Sequence, residues 1–171
     1  PQPYEGAWGL GLGTSSRTRQ GGNTIEDATI LTDLTELLTG TTAGYEDNYD
    51  EVCPYEGGGA SDVVYSFTPS IDMAVNMSTC YSSYDTKLYV YQDASGTLAL
   101  TTSGDPACSD DATHPINNDC TAWTSYIEGV SMAAGTTYYI VIDGYGSDVG
   151  EYEVEFNIYN PLAGYTILNA D

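Results

Sequence analysis

Ala134-Gly135-Thr136-Thr137-Tyr138-Tyr139-Ile140-Val141-Ile142-Asp143-Gly144-Tyr145-Gly146 is the stretch that decides the fold. A turn at Ala134-Gly135 launches it, and Asp143-Gly144 stops it. Between them lie β-branched and aromatic residues, which suit a pleated, half-buried surface. Strand side chains alternate, so Tyr138, Ile140 and Ile142 share one face while Thr137, Tyr139 and Val141 share the other. Both faces are largely apolar, the pattern of a central strand in a β-sandwich. Outward from it, strand-like runs recur over 62–68, 71–80, 85–92, 126–132 and 151–159, with shorter ones at 97–101 and 165–168. In 71–80, Ile71, Met73, Val75 and Met77 share a face. In 151–159, Tyr152, Val154, Phe156 and Ile158 turn inward, with Glu151, Glu153, Glu155 and Asn157 outward. Short strands with turns every 8–12 residues or so predict an all-β antiparallel sandwich.

The 171 residues make one domain, long enough to bury roughly 70% of the extended surface. We expect an extension with linker at 1–21, a sandwich at 22–160, and a tail or short edge strand at 161–171. The charge is extreme, with 25 acidic residues against 3 basic ones and a formal net charge of -22. Affinity for nucleic acid comes from Lys and Arg, so that partner is excluded, as is an anionic membrane surface. No apolar run reaches the ~20 residues of a spanning helix. The chain opens Pro1-Gln2-Pro3 with no signal-peptide pattern, as expected of a mature, processed form. Four cysteines (Cys53, Cys80, Cys108, Cys120) lack C-x-x-C spacing, and there is one histidine, so disulfides in an oxidising, extracellular setting are expected rather than zinc.

Trp8, Leu10 and Leu12 alternate with Gly9, Gly11 and Gly13, a period-two ribbon with large groups on one face. It reads either as an edge strand of its own domain or as an extension that enters a neighbouring subunit. Residues 15–23 are polar and carry Arg17 and Arg19, which reads as a linker. Thr24–Leu38 fits a helix through Ile30, Leu34, Leu37 and Leu38, or a strand pair broken near Asp33. Gly40–Gly59 reads as an exposed loop, and Ser103–Thr124 as a long loop pinned by cysteines.

The runs Asp62-Val63-Val64-Tyr65-Ser66-Phe67-Thr68, Tyr84-Asp85-Thr86-Lys87-Leu88-Tyr89-Val90-Tyr91 and Cys108-Ser109-Asp110-Asp111, followed by the stretch from Ala134 to Tyr145, resemble the bacterial pre-peptidase C-terminal domain family. The resemblance covers about Gly22 to Ile158. It implies a jelly-roll sandwich of a secreted protein. It further suggests a Cys53–Cys80 bridge, leaving Cys108–Cys120 to close the long loop.

His114 is the only histidine and lies in a polar loop, so triad catalysis has no base and no enzymatic activity is expected. Calcium takes six to eight oxygens from carboxylates and carbonyls in loops. Asp85, Asp110, Asp111 and Asp143 flank strand ends that a jelly roll could gather, and they form the candidate calcium site; Asp47-Asn48-Tyr49-Asp50-Glu51 is a second cluster. Asn76-Met77-Ser78 matches a glycosylation acceptor. Tyr81, Tyr84, Tyr89 and Tyr91 either stack on sugars or cover a sheet. The leading expectation is an extracellular structural subunit that polymerises with copies of itself, like a pilus, by donor-strand addition through Trp8, Leu10 and Leu12, with Arg17 and Arg19 steering. The alternative is an accessory carbohydrate- or protein-binding domain of a secreted enzyme or surface protein.

Overall fold

A computed structural model describes residues 20–112, 120, 122–160 and 165–166. Trp8, Leu10, Leu12, Arg17, Arg19 and His114 lie outside the described residues. The elements are β1 (Thr29–Leu31), β2 (Leu38–Thr41), β3 (Val63–Phe67), β4 (Met73–Ser78), β5 (Thr86–Tyr91), β6 (Cys108–Ser109), β7 (Tyr126–Met132), β8 (Tyr138–Gly144), β9 (Glu151–Asn160) and β10 (Tyr165–Thr166). Two sheets face each other, one ordered β1-β3-β8-β5-β6 and the other β10-β9-β4-β7, with β2 also paired to β9. The protein is an all-β sandwich, and no helix occurs among the described residues.

β8 is central, as its two apolar faces require: β3 and β5 flank it in antiparallel register. Its inward residues Tyr138, Ile140 and Ile142 join Val63, Tyr65, Leu88, Val90, Val75, Met77, Tyr152 and Val154 in the main core. Its outward Val141 lies in a second cluster with Val64, Tyr89 and Tyr91, packed against Ile25, Ala28 and Tyr49. The segments carrying those last three residues form a lid over the outer face of the sheet, and this is why both faces of β8 are apolar. Three tyrosines, Tyr65, Tyr89 and Tyr152, are fully buried. Tyr65 and Tyr152 share a hydroxyl hydrogen bond of 2.7 Å across the core.

Segment 24–38 is a broken strand pair rather than a helix. β1 lies parallel to β3 in one sheet, an exception to the antiparallel expectation, while β2 pairs with β9 in the other. Asp33 turns the chain between them by accepting from the Thr35 amide and hydroxyl at 3.1 and 2.6 Å. Leu31, Leu34 and Leu38 are buried, so this crossover ties the two sheets together. Run 97–101 forms only isolated bridges, Tyr91 to Leu98, Leu100 to Pro106 and Thr101 to Val130, and not a strand. The described end of the expected linker is tied down: Gly22 and Val64 exchange backbone hydrogen bonds of 2.9 and 2.8 Å.

All four cysteines are bridged, but not as the family resemblance implies. The bonds are Cys53–Cys108 and Cys80–Cys120, with sequence separations of 55 and 40. The lid loop carrying Cys53 lies on the outer face of β5, where Cys108 of β6 stands opposite Tyr89. Cys80 follows β4 in the other sheet, where the Thr79 amide donates to the Ser125 carbonyl at 3.0 Å. Cys53 and Cys80 thus belong to opposite layers. Two disulfides place the chain in an oxidising, extracellular-type environment.

Candidate functional site

Two places in the fold are chemically unfinished. The first is an acidic cleft at the start of β5. Antiparallel pairing sets Ser109 of β6 opposite Leu88, so the residues that follow Ser109 run back toward Asp85. Asp85, Asp110 and Asp111 each offer a carboxylate oxygen, and these lie within 4.8 Å of one another. Asp110 is 5% exposed. Neither of its oxygens accepts a well-formed hydrogen bond, nor does Oδ1 of Asp85. Burial, then Asp110, Asp111 and Asp148, push the Asp85 carboxyl up to about 6. Burial and Asp111 raise Asp110, with partial relief from Lys87 and the Asp111 amide. The cleft has a volume of about 510 Å³, and Tyr55, Glu56, Trp123 and Tyr145 complete its lining. Trp123, Tyr55 and Tyr145 are 60%, 55% and 43% exposed. Sequence reading found the three aspartates. It missed Asp148 and the aromatic rim, although a tryptophan in a polar loop was a usable signal.

Asp143 stays out of this cluster and so leaves the expected calcium set. It points to the outer face, pairs in register with Lys87, and is fully buried. Its carboxylate accepts from the Gly144 amide at 2.6 Å and from the Tyr89 hydroxyl at 3.2 Å. Burial is the main cause of its carboxyl being pushed up to about 8. Lys87, also fully buried, donates to the Glu51 and Tyr55 carbonyls and so clamps the lid. Segment 47–51 is organised by Asp62, which accepts from the Asn48 and Tyr49 amides at 2.7 and 2.9 Å. Asp62, unnoticed in the sequence, is buried and pushed up to about 6 mainly by desolvation. Tyr89 and Tyr91 cover a sheet face beside Tyr49, whereas Tyr81 is exposed. Asn76 sits mid-strand in β4, its side-chain oxygen accepting from the Gly129 amide at 2.8 Å.

The second unfinished place is the outer edge of β9. Its inner edge is occupied throughout: Ser83 donates to the Glu151 carbonyl at 2.9 Å, and β4 pairs with residues 155–159. On the outer edge Thr42 donates to the Gly150 carbonyl at 3.1 Å, β2 covers 151–154, and β10 covers 159–160. Ladder groups alternate between edges, so odd-numbered residues face β4 and even-numbered ones face outward. Phe156 and Ile158 therefore direct their N–H and C=O groups to the outer edge, at positions between β2 and β10 where no described strand is registered. Their side chains pack against the core but stay half-buried, while Tyr152 and Val154 earlier in the strand are buried.

No family model matches this sequence, and no curated protein matches it.

Proposed function

We propose that this protein is a secreted, non-enzymatic structural subunit that assembles into an extracellular filament by strand addition. The observation behind this reading is the outer edge of β9 at Phe156 and Ile158, where no described strand is registered and the apolar side chains are only half-covered. An unpaired edge of this kind is a template for another strand. The occupant is the segment around Trp8, Leu10 and Leu12 of another copy. Each main-chain hydrogen bond would contribute about 0.5–1.5 kcal/mol, and apolar side chains entering beside Phe156 and Ile158 would add more. Glu151, Glu153 and Glu155 on β9 complement Arg17 and Arg19 next to that segment. A head-to-tail contact that does not close into a ring yields an open helical polymer. The jelly-roll likeness to pre-peptidase C-terminal domains of secreted proteins agrees with an extracellular role.

The test is calorimetric titration of the chain lacking residues 1–14 with a synthetic peptide of residues 1–19. We expect a 1:1 complex that is lost with a Trp8→Asp peptide and with an Ile158→Pro protein. The competing occupant is the chain's own segment 167–171. No peptide binding until 167–171 is removed would assign the edge to that tail and overturn the proposal.

The cleft favours one second reading, a carbohydrate-binding module, because exposed Trp123, Tyr55 and Tyr145 can stack on sugar rings. A soluble monomer that keeps glycan binding without residues 1–14 would favour it.

A further inference from the structure

The Asp85–Asp110–Asp111 cluster carries more than an acidic rim. Two oxygens on one ion lie no farther apart than twice the metal–oxygen distance. For calcium, at about 2.3–2.6 Å, that limit is about 4.6–5.2 Å, and the three carboxylates meet it within 4.8 Å. The independent observation is Asp110. A buried carboxylate with neither oxygen in a well-formed hydrogen bond is costly, because burial removes its water and the Asp111 amide and Lys87 relieve it only in part. Lys87, the nearby cation, has its ammonium directed at the Glu51 and Tyr55 carbonyls instead. Asp85 adds a third buried oxygen without a well-formed hydrogen bond. One oxygen from each of the three carboxylates meets the others at the cleft wall, and no cation among the described residues is paired with them there.

We infer that Asp85, Asp110 and Asp111 form a calcium site, open on the cleft side. The three side chains supply three or more oxygens; water completes the shell. The ion would bind the start of β5 to the end of β6 and offset part of the net charge of -22. Extracellular sites of this kind bind with Kd of about 0.1–1 mM.

The experiment is thermal unfolding of the full chain after chelation, then with CaCl2, MgCl2 or NaCl at equal ionic strength, beside calorimetric titration with CaCl2. At about a hundredfold excess over Kd, Ca2+ should raise Tm by about 5–10 °C with 1:1 stoichiometry. Asp110→Asn should lose that shift, and as an apo protein it should be no less stable, since a buried unpaired charge is gone. Asp111→Asn, at an exposed position that folding tolerates, should weaken binding at least tenfold. Glu128→Gln, an exposed acid on β7, should keep the full shift. Equal shifts with NaCl, or a Ca2+ shift that survives both aspartate changes, would reduce the effect to charge screening and overturn the site.

Discussion

Strands β8 and β9 carry the same alternation of apolar residues, and the protein uses them in opposite ways. β8 is paired along both edges and covered on both faces. β9 is held along one edge by β4 and by Ser82 and Ser83, while β2 and β10 share the other, with no described strand registered at Phe156 and Ile158. Along β8 the inward side chains stay buried from Tyr138 to Ile142. Along β9 they pass from buried Tyr152 and Val154 to half-buried Phe156 and Ile158. Alternation tells which side chains turn inward, but not how many neighbours a strand has. One strand is paired along both edges; the other has edge positions that no described strand occupies, and open edges are either managed or used.

The contrast is sharpest where the β8 sheet is clamped. Lys87→Ala should cost about 2–5 kcal/mol, because two lid carbonyls would lose their charged donor and the packing of a fully buried side chain would be lost. Urea unfolding measures this, and a cost below 1 kcal/mol would show that the lid holds without the clamp. Ile140→Ala in β8 should cost about 2–5 kcal/mol through the cavity it leaves.

The same outer face sets a pH dependence. Asp62 and Asp143 have raised carboxyls in the folded state, at about 6 and about 8 against an ordinary 3.8. The folded protein therefore binds more protons than the unfolded chain across that interval. Their contribution to stability is full below about pH 4 and is lost as pH rises through 6 and then 8. Tm should be higher at pH 5 than at pH 8.5, and Asp143→Asn should flatten the difference. An unchanged slope in that variant would place its cause elsewhere, in general self-repulsion.

The smallest stability change belongs to β9. Ile158→Pro removes an outward N–H and some half-buried surface, at about 1 kcal/mol, and should leave the monomer folded while blocking assembly. If it destabilises the protein as much as Ile140→Ala does, the edge is not free.

The difference between what was legible and what was not follows the same line. The two apolar faces of residues 137–142 announced a central strand, because local alternation decides that. Leu31, Leu34 and Leu38 reach the core whether the segment is a helix or a crossing pair of strands, so spacing alone left both open. The bridges were misassigned because pairing depends on which layer each cysteine enters, and sequence order is silent on that. Asp85, Asp110 and Asp111 were legible as acids at strand ends. Asp143, with the same signature, went to the opposite side of the strand register. The edge of β9 was not legible, since which strands β2 and β10 pair with is decided by tertiary register and not by local alternation.

The central claim is tested most directly by negative-stain electron microscopy of the purified full chain beside the chain lacking residues 1–14. Strand addition predicts filaments from the first and folded single particles from the second, with filaments absent also from the Ile158→Pro protein. Isolated particles from the full chain at every concentration, or filaments that persist without residues 1–14, would contradict it.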